Sequence, residues 1–453
     1  MAINLIQYST SPGIGNSNLI HAVTSNSSSM PQFKFVADIR DTDGVLLQAV
    51  KQQPNPQQTG VFDLGNIVPV YLGPTDTVWD VDEVTANTAC GKDFKIRFGE
   101  EYGTSTTGST EIYPGDSDTP GNPVISGSEY TFLLDGVIDP NDATNWNWAS
   151  SSKYDEEDTY GITTFTHQNG LTNFDTQSVR LGDYHTLSFL NGNCLGITSS
   201  AVDSGFAQDV YAMIVKQYDA SGNIGTTSTI YNTTSGLRTA ASDLWDDVYL
   251  SQTENTRLNH WPVGPQNLED SGITLDSDLA YYTCEFHSQT PEPGVNTNGV
   301  WGSYRFNVTD KNCGYDGVRF AWKNEYGVWD YFNFALAEST TSLLEREQFE
   351  QTFVNYSGQG VVAYDKERRG FEQFQNRVVK RRTAQSDYLT QTNADNLREL
   401  FFSTNVYVQQ SNGEWYPVVI EDASVTEKTN PRTQKLYTYT VNYRYANDTR
   451  ARR

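Results

Sequence analysis

Hydrophobic and polar residues alternate along much of this chain, with the two-residue period of β-strands. The alternation is clearest in residues 318–334, VRFAWKNEYGVWDYFNF, where two aromatic-rich runs flank the polar connection 324–327. Gly327 in that connection can adopt the positive φ of a tight turn. The pattern predicts a β-hairpin, and its dense aromatic side chains favour the core of a β-sandwich over a solvent-facing groove.

Similar runs predict strands through most of the first 310 residues. They cover residues 33–39, 45–47, 94–98, 130–134, 184–190, 210–218, 227–231, 279–286 and 304–308. The first 30 residues are small and polar, which predicts an extended arm or a capping strand and not a core element. The sequence DTDG at 41–44 predicts a hairpin turn, because no further carboxylates follow at the offsets that a calcium loop requires.

These strands fall into two predicted domains. Residues 1–180 form an N-terminal β domain with an extended arm and long polar loops, including the Gly/Ser/Thr/Pro-rich segment 104–127. Residues 181–340 hold seven strands, the hairpin included, which is the number in an immunoglobulin-like sandwich. Residues 233–276 interrupt that series and are predicted to be an insertion.

The pattern changes after residue 340. Residues 341–354 are compatible with a helix or a strand, and 393–402 predict a helix capped by Thr392 or Asn393. Residues 406–408, 415–420 and 436–445 then predict strands. The predicted fold class is therefore mainly β: tandem β-sandwich modules of the immunoglobulin type, followed by a compact α+β domain over 341–453.

Charge supports a boundary at the same place. The chain carries a formal charge of −25, but residues 341–453 hold 16 of its 31 basic and 14 of its 56 acidic residues. The C-terminal part therefore carries +2 and the preceding 340 residues carry −27. An acidic surface of that size repels nucleic acid and anionic membranes.

A basic stretch lies within the C-terminal part. Its basic residues are Lys366, Arg368, Arg369, Arg377, Lys380, Arg381 and Arg382. They form either a solvated face with weak surface ion pairs or an interface. The partner of an interface would be an acidic surface of a neighbouring copy or DNA in a lumen, and the acidity of the remaining chain favours the copy.

Motifs for catalysis and metal binding are missing from the sequence. The cysteines Cys90, Cys194, Cys284 and Cys313 form no CxxC pair, and the five histidines form no HxH or HExxH motif. There is no GxSxG, P-loop or dinucleotide-binding motif. We therefore expect a non-enzymatic protein without cofactor or metal. Without an export signal or a run of about 20 apolar residues, we expect free thiols and no membrane insertion.

Four tryptophans suggest a second interpretation. Trp146, Trp148, Trp261 and Trp301 could stack on sugars, and the acidic run 155–158 contains neighbouring carboxylates. These features are compatible with a carbohydrate-binding protein or a polysaccharide depolymerase. A solvated loop is the favoured interpretation of the acidic run, because no spacing within it singles out an acid and a nucleophile.

Four segments resemble virion structural proteins of tailed phages, notably those of Bacteroidota and marine hosts. They are 33–47 (FKFVADIRDTDGVLL) with its continuation at 54–56 (PNP) and 60–68 (GVFDLGNIV), 320–334, 412–422 (NGEWYPVVIED) and 436–448 (LYTYTVNYRYAND). The resemblance implies immunoglobulin-like and α+β modules that assemble as rings or appendages of the tail, collar or vertex. It implies no catalytic residues. The expected partners are copies of the chain, other virion proteins and a host-surface receptor, in a virion assembled in the host cytoplasm.

Overall fold

Strands dominate the computed structural model, in agreement with the predicted mainly-β fold class. Contacts divide the chain into two compact units: unit 1 comprises 1–310 and 323–330, and unit 2 comprises 311–322 and 331–453. The structure describes residues 3–7, 13–16, 19–41, 44–72, 79–86, 91–105, 108–112, 131–137, 154–158, 163–168, 170–190, 210, 212–232, 258–287, 300–309, 317–336, 338–351, 354–356, 360, 362–364, 370–410, 412–422 and 437–447.

The N-terminal part of unit 1 is a β-sandwich. Its strands are β1 (Ile3–Gln7), β2 (Gly13–Asn16), β3 (Ile20–Ser25), β4 (Lys34–Arg40), β5 (Leu46–Gln52), β6 (Thr59–Asp63), β8 (Gly91–Ser105), β9 (Gly108–Ile112) and β10 (Thr131–Val137). Strand β7 (Thr85–Ala86) lies between β6 and β8 in the sequence but pairs with a strand of the second sandwich. A sheet of order β1-β3-β6 shares a core with the sheet β2-β10-β8-β4-β5, in which β9 also pairs with β8. Residues Val68–Tyr71 form a 3₁₀ helix.

Two predictions for this region are wrong. Instead of an extended arm or a capping strand, the N-terminus contributes the middle strand β3 of a sheet, with Val23 fully buried. His21 and Ser25 are also buried in the core. Because polar residues occupy the buried face of β3, its sequence does not show the alternation of apolar and polar residues that predicts a strand. The segment 104–127 was predicted to be a loop, yet its residues 108–112 form β9. The remainder of that segment lies outside the described residues, apart from the end of β8.

A second β-sandwich completes unit 1. Its elements, with the neighbouring hairpin β11-β12, are β11 (Tyr154–Asp158), β12 (Thr163–Gln168), β13 (Thr176–Val179), β14 (Thr186–Leu190), β15 (Ala212–Tyr218), β16 (Ile224–Tyr231), β17 (Leu258–Pro262), α1 (Pro265–Asp270), β18 (Tyr281–His287) and β19 (Val300–Val308). The sheet β13-β19-β18-β15-β16 packs on the sheet β14-β17-β7 around one aromatic core. Because β17 lies inside 233–276, the prediction that this range is an insertion is wrong for residues 258–262.

The C-terminal sheet has seven strands in the order β21-β20-β26-β27-β28-β25-β22. Its strands and the short hairpin β23-β24 are β20 (Val318–Lys323), β21 (Trp329–Phe334), β22 (Ser339–Glu350), β23 (Val354–Tyr356), β24 (Val362–Tyr364), β25 (Phe371–Gln385), β26 (Val406–Gln409), β27 (Trp415–Ile420) and β28 (Thr440–Tyr445). Two helices, α2 (Gln391–Leu397) and α3 (Glu399–Phe402), replace the single predicted helix. The cap is Thr390, whose side chain accepts a hydrogen bond from the Asn393 amide, and not Thr392 or Asn393.

The hairpin 318–334 forms as predicted, with a buried core position and Gly327 at φ +81°. Its assignment to the sandwich of 181–340 is wrong, however, because β20 pairs with β26. The Phe320 ring lies 5.1 Å from Tyr443 of β28, so the hairpin shares its aromatic packing with the C-terminal sheet. Trp322 is fully buried, which confirms the prediction that the aromatic residues of the hairpin lie in a core and do not line a solvent-facing groove.

Candidate assembly interface

The most exposed element that the structure describes is a two-stranded ribbon at the edge of the C-terminal sheet. Strand β25 pairs with β28 only over Arg382–Gln385, whereas its pairing with β22 continues to Glu350 opposite Phe371. We call the part beyond the sheet, residues 341–350 and 371–381, the β-arm. At about 3.4 Å per residue it is roughly 34 Å long. All twelve residues of β22 are exposed.

The middle of the β-arm carries apolar pairs on both of its faces. Leu343 lies opposite Val379 and Leu344 opposite Val378, and adjacent residues of a strand point to opposite faces. Leu344 is 54 % exposed, and Phe371 at the far end is 67 % exposed. A two-stranded ribbon alone in water is only marginally stable. The β-arm therefore has the composition of an element that gains stability from a covering partner.

At the base of the β-arm, Arg382 is held within the sheet. Its Nη1 lies 2.9 and 3.0 Å from the two carboxylate oxygens of Glu338, and its guanidinium lies 4.6 Å from the centre of the Tyr445 ring. Burial alone would lower the pKa of Arg382, but the Glu338 carboxylate outweighs burial and the pKa is raised. The Tyr443 hydroxyl also donates to Glu338, and burial together with this bond raises the pKa of Tyr443. Arg382 is therefore an anchor and not a free interface residue.

The other basic residues on β25 are more exposed. Arg377 forms a loose ion pair with Glu345 at 3.4 Å, which is worth about 0–1 kcal/mol at such exposure. Arg381 pairs with Glu421, which also binds Arg444 at 3.2 Å. Lys380 is exposed and makes no ion pair with another described residue. Lys366, Arg368 and Arg369 lie outside the described residues.

Charge is distributed unevenly along the β-arm. Four acidic residues and four basic residues give it no net charge, in a chain of −25. The basic residues Arg346, Arg377, Lys380 and Arg381 lie nearer the sheet, whereas Glu347, Glu350 and Glu372 lie nearer the far end.

Sequence reasoning identified the basic residues of the β-arm but missed the exposed leucines, because a strand exposed on both faces shows no alternation of apolar and polar residues.

The candidate sugar-binding tryptophans are not brought together by the described part of the chain. Trp261 is fully buried in the second sandwich, edge-on to Phe286 with the ring centres 5.5 Å apart, so its prediction as a sugar contact is wrong. Trp301 lies in β19, but its side chain is outside the described set. Trp146 and Trp148 also lie outside it. The acidic run 155–158 lies in strand β11, so its interpretation as a loop is wrong.

One pair of side chains has the chemistry of a nucleophile and a base. Ser188 Oγ lies 2.7 Å from His260 Nδ1 across the β14-β17 pair. The His260 side chain is fully buried and Ser188 nearly so, and burial lowers the pKa of His260 to about 3. A substrate cannot reach this pair in the folded protein, so it serves the core of the sandwich.

The described residues contain neither a metal-binding cluster nor a membrane-spanning helix. Among them, no group of three or more His, Cys, Asp and Glu side chains lies close enough to hold a metal ion. None of their helices is long and apolar enough to cross a bilayer.

No protein-family model and no curated protein matches this chain.

Proposed function

We propose that this protein is a non-enzymatic structural protein of a tailed-phage virion that oligomerises through the β-arm in the tail, collar or vertex. The observation that carries the proposal is the exposure of the β-arm, a roughly 34 Å ribbon with apolar residues on both faces. The phage-like segments 33–47, 320–334, 412–422 and 436–448 support the virion assignment.

The size of the β-arm supports a partner of macromolecular size. A ribbon about 34 Å long and about 10 Å wide has roughly 700 Å² on its two faces together. Stable protein interfaces bury about 800 Å² on each partner. One face alone supplies roughly 340 Å², so a stable interface requires a partner that covers both faces or also contacts an edge of the β-arm.

Copies of the same chain are the proposed first partner, followed by other virion proteins. The residues before 341 carry −27, and Lys380 near the base of the β-arm is exposed. Opposite charges of this kind steer subunits together and fix their orientation. A host-surface receptor remains a further proposed partner. The carbohydrate-degrading alternative gains no support, because the one candidate tryptophan whose side chain is described is buried.

The experiment shortens the β-arm without opening the sheet. Leu343 and Val379 lie directly opposite each other, so an Asn-Gly turn between them can replace residues 344–378. The Arg382–Glu338 pair at the base is retained. We expect the shortened protein to keep its circular dichroism spectrum and to remain a monomer by mass photometry, whereas the full chain forms particles with one fixed number of copies.

A control retains the β-arm and introduces Ile224→Lys on the exposed strand β16, which we expect to leave the particle mass unchanged. The proposal is overturned if the shortened protein assembles like the full chain. It is also overturned if the full chain is monomeric at every concentration tested.

A further inference from the structure

The outer edge of β22 differs from the other sheet edges in the described part of the chain. β22 is the last strand of its sheet, and no described strand pairs with its outer side. Proteins usually block a long exposed edge with charged side chains, above all lysine, with proline or a bulge, or with a covering segment. The sequence of β22, STTSLLEREQFE, contains neither lysine nor proline, and the extra residue of the bulge lies in β25. Its charged residues are confined to 345–350, so residues 339–344 carry no charge.

Two other edge strands show how this chain blocks pairing elsewhere. In β5, Lys51 lies in the strand and the Leu47 carbonyl oxygen accepts a hydrogen bond from the Tyr71 hydroxyl at 3.1 Å. In β16, the Thr226 amide donates to Asp276 at 2.9 Å. Residues 339–344 of β22 carry none of these devices, so this half of the edge is available to pair with a further strand.

We infer that β22 pairs antiparallel with β22 of a second copy, about a twofold axis at Leu344. This inference rests on the proposed assembly function and names its partner surface. In a symmetric antiparallel pair the twofold axis is perpendicular to the sheet. Directly opposite residues have side chains on the same face of the sheet, so the axis must pass between one residue and the identical residue of the second copy. A register is therefore defined by the residue at its centre.

Charge and length select Leu344 among the central residues of β22. Registers centred on Glu345, Arg346 or Glu347 place identical charges opposite each other at the axis, which destabilises a strand pair. A register centred on Leu344 opposes no like charges within the strand. It pairs residues 339–349 and sets Leu343 opposite Glu345 of the second copy. It also covers the exposed Leu344 side chains with each other.

Two adjacent leucines provide a matched test. Leu344→Lys sets two ammonium groups opposite each other at the axis, whereas Leu343→Lys sets each ammonium opposite a glutamate. We expect Leu344→Lys to weaken self-association about tenfold or more in sedimentation velocity. Leu343→Lys should associate within about twofold of the unchanged chain. Equal behaviour of the two variants overturns the register.

Cross-linking tests the pairing directly. A cysteine at position 344 faces its symmetry mate at about 4.5–5.5 Å between Cα atoms, within disulfide range. Positions 346 of two copies lie about 14 Å apart along the strands. Oxidation should therefore link the Leu344→Cys variant into a covalent dimer. The Arg346→Cys variant is the control for cross-linking through the native cysteines, and its fraction of covalent dimer should match that of the unchanged chain. A Leu344→Cys protein that stays at background contradicts the inference.

The outcome with the shortened β-arm separates the two claims. If shortening abolishes assembly while Leu344→Lys and Leu344→Cys behave like their controls, the β-arm is an assembly element that binds a different surface. The strand-pairing inference then fails and the proposed function stands. If shortening has no effect, both fail.

Discussion

Arg382 and Glu338 form a two-point ion pair where the β-arm leaves the C-terminal sheet, with Nη1 2.9 and 3.0 Å from the two carboxylate oxygens. About three quarters of each side chain is shielded from solvent. The pair joins β25 to the residue immediately before β22, so it fixes the origin of both strands of the β-arm.

Removing one member of this pair should destabilise the protein. Arg382→Ala leaves the shielded Glu338 carboxylate without its cation, and hydrogen bonds to charged groups contribute about 1.5–3 kcal/mol. We expect a loss of that order in urea unfolding. Arg377→Ala, which removes the exposed pair with Glu345, should change stability by at most about 1 kcal/mol. Equal losses in the two variants would show that Arg382 is not an anchor.

Burial distinguishes two aromatic residues of the hairpin that the sequence treats alike. Trp322 is fully buried and Phe332 is half-buried. Trp322→Ala should cost about 3–5 kcal/mol because it leaves a cavity in the core. Phe332→Ala should cost clearly less. The measurement is the thermal or urea midpoint of each variant, and a loss for Phe332→Ala as large as that for Trp322→Ala would contradict the burial difference.

Alternation in the sequence predicts where strands lie but not which strands pair. The hairpin 318–334 was identified from its own residues, yet its partner β26 follows some 70 residues later. In the folded chain Phe320 also packs 5.1 Å from Tyr443 of β28, a contact between residues far apart in the sequence. Non-local pairing is therefore the step that local patterns leave open.

Polarity patterns fail in two opposite ways in this chain. In β3, His21 and Ser25 are buried, so the inward face has a polar composition. In β22, Leu343 and Leu344 are exposed, so an apolar run marks no core. Trp261 shows the same ambiguity, since a tryptophan in a β protein fits a core as well as a sugar-binding surface. The basic residues were found because charge density needs no knowledge of burial, but only the structure shows that Arg382 is anchored.

Acid should destabilise the second sandwich through His260. Burial lowers the pKa of His260 from 6.5 to about 3. Between these two pH values the His260 side chain is neutral in the folded protein and protonated in the unfolded chain. Stability should therefore be complete above about pH 6.5 and fall by about 1.4 kcal/mol per pH unit between pH 6.5 and 3 from this residue.

The test compares urea unfolding at pH 7, 6 and 5. His260→Gln should show a shallower loss of stability with falling pH than the unchanged chain. Ser188→Ala, which removes the hydrogen-bond partner but no titrating group, should lower stability at every pH and keep the slope. An unchanged slope in His260→Gln would contradict the assignment.

Cys284 should be chemically inert until the protein unfolds. Its thiol is fully buried in the second sandwich, and burial raises its pKa, so the reactive thiolate is suppressed. Iodoacetamide should leave Cys284 unmodified in the native protein. After denaturation without reductant, mass spectrometry should count four modified thiols. A smaller number, with Cys284 joined to Cys313, would contradict the prediction of free thiols.

The exposed basic residues of the β-arm should contribute to subunit contact. Lys380→Glu with Arg381→Gln removes positive charge without touching the anchor Arg382. We expect this variant to keep its melting temperature and to assemble more weakly by mass photometry. The control, Lys34→Glu with Lys92→Gln, makes the same charge change on β4 and β8 and should assemble normally. Assembly that matches the unchanged chain would show that the two residues form only a solvated face.

Salt separates subunit contact from DNA binding by the same residues. Contacts to phosphates make the affinity fall by about 0.9 log units per contact for each tenfold increase in salt. Subunit docking that also covers Leu343, Leu344 and Phe371 should depend less on salt, because apolar burial is not screened. We therefore expect assembly of the unchanged chain to weaken only modestly between low and high salt, without added DNA. A steep salt dependence that appears only with duplex DNA, and is lost in the Lys380→Glu/Arg381→Gln variant, would assign these residues to DNA.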